Sequence, residues 1–136
     1  MDEITAQRLH VVVGIILKNG LVCIARRSKD AHLGGLWEFP GGKLEAGETA
    51  LTALARELHE EIGIFVETAR PITQISHDYP ERQVLLDFWL VTEFHGKPHG
   101  REGQPVVWVP VKELINYHFP HANQDIVKSL LAGEIA

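Results

Sequence analysis

The sequence predicts an α/β sandwich, a mixed β-sheet packed between helices. Three observations predict it. Two apolar, β-branched runs, residues 9–17 and 21–27, flank Lys18-Asn19-Gly20 and read as a hairpin closed by an Asn-Gly turn. A stretch of good helix formers over 49–62 carries apolar residues at three- and four-residue spacing. Further strand-like runs and a last helical segment follow, so strands and helices share one chain.

Taken in order, the hairpin leads into a polar and glycine-rich loop over 28–36. A short segment, Leu36-Trp37-Glu38-Phe39, comes next, and Pro40-Gly41-Gly42 turns the chain. The helix at 49–62 has Thr49 as its N-cap and Gly63 just past its end, with Leu51, Leu54, Leu58 and Ile62 forming one apolar stripe for the core. Residues 72–76 and 84–94 read as strands. In the second, Leu86, Phe88 and Leu90 point one way, and Leu85, Asp87, Trp89 and Val91 the other, so both faces are expected to be covered. A short strand at 106–109 and a helix at 123–131, with Ile126, Val127, Leu130 and Leu131 inward, complete the pattern. No repeat, linker or low-complexity tract interrupts it, and residues 1–136 are expected to form one domain.

Composition narrows the function classes. The formal net charge of -5 argues against a protein that holds a nucleic acid polymer, which needs a basic face to neutralise phosphates. A small phosphorylated ligand fits an acidic protein when a divalent cation turns carboxylates into a phosphate site. No window approaches the roughly 18 apolar residues of a membrane span, and the N-terminus shows no export signal. The single cysteine, Cys23, lies in an apolar strand-like run and reads as a small buried hydrophobe. The expected setting is the cytoplasm, without a membrane or a nucleic acid partner, and the chain is expected to be a monomer.

The chemistry sits on the long helix. Glu57, Glu60 and Glu61, at i, i+3 and i+4, crowd three carboxylates onto about a third of the helix circumference. A solvated acidic face could tolerate that repulsion. These acids, however, adjoin the apolar stripe, and oxygen-rich clusters are what hard cations such as Mg²⁺ or Mn²⁺ require. The glycines at Gly41-Gly42 suit a tight turn that exposes a carbonyl as a further hard ligand. Arg56 can hold Glu48 or Glu57 in place.

The frame around these acids is Gly42, five residues, Glu48, seven residues, then Arg56-Glu57-Leu58-His59-Glu60-Glu61-Ile62-Gly63-Ile64. It resembles the full Nudix box, G-x5-E-x7-R-E-U-x-E-E-x-G-U with U aliphatic, with no position missing. Other segments are similar to the MutT branch of that family, among them Arg26-Arg27, Asp30-Ala31-His32, residues 38–43, Glu102-Gly103-Gln104-Pro105 and residues 119–123. Two departures are visible. The hairpin turn is short, and His121 stands where the family often has a second proline.

The resemblance implies a Nudix fold and metal-dependent hydrolysis of an oxidised guanine nucleoside triphosphate, 8-oxo-dGTP, to the monophosphate and pyrophosphate. It implies that Gly42, by its carbonyl, and Glu57, Glu60, Glu61 and Glu102 bind metal. It also implies that Arg27, His32, Phe39, Arg82 and Asn123 line the substrate pocket. Glu57 is the first candidate for general base and Glu102 the second, with Arg56 supporting them. Asn123 has two candidate roles, N-cap of the last helix and reader of the base, which can coexist only if its side chain is shared or turned. Alternative readings are a Nudix enzyme for another nucleotide or nucleoside diphosphate-linked substrate, or a nucleotide-sensing module that keeps the fold without the catalysis. The second would be expected to lose box glutamates, and all are present.

Overall fold

A computed structural model describes residues 9–31, 34–80 and 82–135. The hairpin forms as expected. Strand β1 (Leu9–Lys18) turns back into β2 (Leu21–Arg26) through Asn19 and Gly20, both at positive φ of 54° and 77°. Two successive left-handed residues make the turn whose twist matches the flanking strands. Strands β3 (Trp37–Glu38) and β4 (Gly41–Lys43) follow, then helix α1 (Ala50–Ile62), β5 (Phe65–Tyr79), β6 (Arg82–His95), β7 (Val106–Pro110) and helix α2 (Gln124–Leu131). Short 3-10 segments at Val111–Asn116 and His121–Asn123 connect the last strand to α2.

The sheet is mixed. Its main path runs β3-β2-β1-β6-β5, with β4 on β1 and β7 on β2. β1 and β6 are parallel, from Leu9 opposite Val84 to Ile16 opposite Val91, and the other pairings are antiparallel. Side chains alternate across β1 and so feed two cores. Val13 and Ile15 join Phe88, Leu90, Leu114, Ile126 and Leu130 on the α2 side. Val12 and Ile16 join Leu54, Leu58, Ile62 and Val91 on the α1 side. The sheet therefore lies between the helices, and β6 is covered on both faces.

Three expectations need correction. β5 is far longer than the run at 72–76, because its first half is a poorly alternating edge segment containing Pro71, which an edge strand tolerates and a sequence pattern penalises. Leu51 is 45% exposed and does not belong to the apolar stripe of α1; Ala53 takes its place, since the buried set is Ala53, Leu54, Leu58 and Ile62. Leu131, 40% exposed, ends α2 on its outer side, while Ile126, Val127 and Leu130 are buried.

Candidate active site

α1 is held firmly at both ends. Thr49 accepts the Thr52 N–H at 3.2 Å as N-cap, and Gly63, at φ 74°, donates its N–H to the His59 carbonyl at 3.0 Å. With Leu54, Leu58 and Ile62 locked in the core, Glu57, Glu60 and Glu61 are carried on fixed backbone.

Arg56 gathers the acids around it. Its guanidinium donates to both oxygens of Glu48 at 2.6 and 2.8 Å, to Glu57 at 2.9 Å, to Glu60 at 3.1 Å and to the Lys43 carbonyl at 3.0 Å. It holds Glu48 and Glu57 together, where the sequence left a choice between them. The bidentate bond lowers the Glu48 carboxyl to about 2, helped by the Glu45 backbone N–H, and raises the Arg56 guanidinium above its ordinary value.

Gly41 and Gly42 serve a different purpose from the expected tight turn. Neither has a positive φ, and both lie in β4, paired with Val13 and Val12 of β1. They are glycines because of close approach. A Cβ at Gly42 would fall 2.3 Å from the Glu57 carboxylate, and one at Gly41 would fall 2.0 Å from the Val12 carbonyl oxygen. Only a bare backbone lets Glu57 lie against β4.

Glu61 faces the other way, into an acidic chamber. Burial pushes its carboxyl up to about 8, and the like charges of Glu38, Glu57 and Glu102 add to the rise against a bond from the Gly41 N–H. Burial, then Glu61, pushes the Cys23 thiol up to about 12, so Cys23 is an inert core residue. Among the described residues no three His, Cys, Asp or Glu side chains already stand in a metal-holding group, Glu57 and Glu60 being turned to Arg56. The donor set nonetheless has the chemistry of a hard-cation site: it is all oxygen, and Glu38, Glu57 and Glu102 stand near enough to Glu61 for their charges to raise its carboxyl.

Two clefts meet at one wall. The acidic chamber, about 240 Å³, is bordered by Glu61, Glu102, Gln104 and the residues around Arg26. The other, about 250 Å³, is apolar, with Val11, Phe39, Tyr79 and Leu86 in its lining and Gly42 and Asn123 at its polar points. Arg27 and Glu38 border both, joined at 2.6 Å. Burial pushes the Glu38 carboxyl up against the opposing pull of Arg27. Phe39 stacks on Phe119 with ring centres 4.9 Å apart.

Asn123 precedes α2 in helical conformation, at φ -96° and ψ -4°, and its side chain makes no capping bond. The cap role is thus unfilled, and the amide lines the apolar cleft.

The matching family model, "NUDIX domain", covers residues 11–129 of this chain. The chain belongs to the Nudix family. It is 41% identical to an Escherichia coli (strain K12) 8-oxo-dGTP diphosphatase, over 91% of this chain and 97% of that protein. A CTP pyrophosphohydrolase of the same organism is 33% identical over 91% of this chain and 92% of its own length. Among solved structures, a MutT from work on Aliivibrio salmonicida and Vibrio cholerae superposes with a TM-score of 0.84 at 45% identity, covering 93% of this chain and 99% of that one.

Within this Nudix fold, Gly42, Arg56, Glu57, Glu60 and Glu61 lie together on β4 and α1, while Glu61 and Glu102 border the chamber reached from Arg27. Phe39 and Asn123 border the adjoining cleft. Arg82 is exposed at the start of β6; it lines neither cleft, although it pairs with Tyr79, which lines one. His32 lies outside the described residues. Sequence reasoning gave no role to Glu38, Tyr79 or Gln104. Glu38 and Gln104 did stand inside the segments that resemble the MutT branch, but a lone acid or amide carries no spacing signal of its own.

Proposed function

We propose that this Nudix enzyme hydrolyses 8-oxo-dGTP to 8-oxo-dGMP and pyrophosphate, which removes an oxidised base from the nucleotide pool before it reaches DNA. The observation that carries the reading is the shared wall of Arg27 and Glu38 between an acidic chamber and an apolar cleft lined by an Asn123 amide that makes no capping bond. A triphosphate suits the first and a purine the second. Oxidation at C8 turns the guanine N7 from an acceptor into an N–H donor beside the O6 acceptor, and the Asn123 amide offers the matching acceptor and donor. Its relatives' activity supports the same substrate.

A Mg²⁺ or Mn²⁺ ion held by the Gly42 carbonyl, Glu57, Glu60, Glu61 and Glu102 supplies charge neutralisation and a lowered water pKa when bound. The chain's own residues do the rest. Arg27 offers a forked cation to the phosphate or the base. Water attacks the β-phosphorus as the bond from that phosphorus to the α–β bridging oxygen breaks, so 8-oxo-dGMP leaves with the bridging oxygen and the water oxygen stays in pyrophosphate. Glu57 takes the water proton, with Glu102 as the second candidate, and Arg56 fixes the Glu57 carboxylate for that task. The substrate is a small nucleotide, and the proposed setting is a monomer in the cytoplasm. Among the described residues no helix is long and apolar enough to cross a membrane.

The CTP-cleaving relative makes an ordinary nucleotide the second reading. Steady-state hydrolysis of 8-oxo-dGTP, dGTP and CTP separates them. The expected order in kcat/KM places 8-oxo-dGTP first, and Glu57→Gln lowers kcat by a factor on the order of a hundred with the fold intact. Preference for CTP, or near-normal turnover in the variant, overturns the assignment.

A further inference from the structure

The loop that carries Glu102 is docked on the end of α1. Once Gly63 closes the helix, the carbonyls of Glu61 and Ile62 have no partner within it. Residues 99–104 supply partners: the His99 N–H donates to Ile62 O at 3.0 Å, the Arg101 N–H to Glu61 O at 3.2 Å, and Gln104 Nε2 also to Glu61 O at 3.0 Å. The other end of the same amide is used as well. Gln104 Oε1 accepts the N–H of Glu102 at 3.0 Å.

One planar amide therefore joins the backbone of Glu61 to the backbone of Glu102, the two acids that share the chamber. The space around it is tight: a Cβ at Gly100 would fall 1.9 Å from the Gln104 carbonyl oxygen and 3.0 Å from Oε1. An amide side chain donates at its nitrogen and accepts at its oxygen, which matches the two bonds made here. Glutamate would set an oxygen against the Glu61 carbonyl, and methionine would do neither. Glu102 is exposed on its loop and has no side-chain hydrogen bond described, so its aim depends on its backbone.

We propose that Gln104 is the positioning residue for Glu102, fixing that carboxylate against Glu61 so that the two act as one unit. The proposal rests on the reading above in which Glu102 serves the hydrolysis. Disturbing a group that orients a metal-site acid changes affinity or activity by about 10- to 100-fold. The test is a double-mutant cycle of Gln104→Met and Glu102→Gln, read by kcat on 8-oxo-dGTP and, without substrate, by the Kd for Mn²⁺ from electron paramagnetic resonance. Gln104→Met is expected to lower kcat and weaken Mn²⁺ binding by about tenfold or more, and to do neither in the Glu102→Gln background. Equal losses in both backgrounds make Gln104 a purely structural loop residue and overturn the proposal, as does an unchanged Gln104→Met. Gln104→Asn, which keeps both amide functions on a shorter arm, serves if the Met variant fails to fold. If Glu102→Gln alone changes neither readout while Glu57→Gln is inactive, the role of Glu102 falls and this inference with it, but the hydrolase assignment stands.

Discussion

At Asn123 a single side chain had two possible uses, and the backbone leaves one of them, the cap, unfilled. An N-cap residue has extended dihedrals and accepts an N–H from the first turn, whereas Asn123 is already helical and makes no such bond. Its amide is available to the cleft, and selectivity for the oxidised base should depend on it. Asn123→Ala is expected to weaken binding of 8-oxo-dGMP by about 1–3 kcal/mol, roughly five- to 150-fold, and that of dGMP much less. Calorimetric titration of both nucleotides checks this; equal losses would make Asn123 a general pocket wall. The same residue marks a boundary of what sequence can say. Its place in the family pattern is readable, but the absence of the cap depends on dihedrals that no residue type specifies.

Among the elements, α1 and the loop before it are coupled by Arg56, which ties Glu48, Glu57, Glu60 and the Lys43 carbonyl into one network. Most of this was legible, since fixed spacing on a helix determines which side chains share a face. The reason for Gly41-Gly42 was not, because the close approach of Glu57 to β4 is a contact between elements distant in sequence. The network carries a pH signature. The folded Glu48 carboxyl lies near 2 against an ordinary 4.5, so its stabilising contribution is fully present above about 4.5 and is lost as the pH falls toward 2. Thermal melts across that window should show Glu48→Gln less stable than wild type at neutral pH and converging with it near pH 2. Parallel curves would mean that folding does not shift the Glu48 carboxyl and that the pair adds no pH-dependent stability.

A second element-scale device lies between β1 and β6. Asp87 is 4% exposed and bonds to His10 Nε2 at 2.8 Å. The sequence placed Asp87 on the face it occupies yet named no partner, because His10 is 77 residues away. Removing one member leaves a buried polar group unmatched, while removing both with apolar groups of similar size does not. His10→Ala should cost about 1–3 kcal/mol in chemical denaturation, and His10→Leu with Asp87→Leu together should cost less than His10→Ala alone. A larger loss in the double variant would show that the pair's own attraction, rather than avoidance of an orphan, is what β1 and β6 gain.

On the scale of the whole molecule, two cores anchor a seven-stranded sheet while repulsion is concentrated at one end of α1. The sandwich was legible because alternation in β1 and β6 requires cover on both faces. The edge strand β5 was only half legible, because a strand with one neighbour need not alternate cleanly. The acids of the chamber set the balance between function and stability. Glu61 stands against Glu38, Glu57 and Glu102, so the metal-free fold contains an unfavourable cluster that a divalent cation would relieve. A ligand that binds only the folded state adds about 2.7 kcal/mol at a concentration 100 times its Kd, so saturating Mg²⁺ should raise Tm by several degrees. Glu61→Gln reverses both halves of this argument: without metal the variant should melt at or above the wild-type temperature, and Mg²⁺ should shift it far less. Should Glu61→Gln melt lower than wild type in chelator and keep the full Mg²⁺ shift, Glu61 would be a structural acid, and the cation would have to be held by the remaining carboxylates.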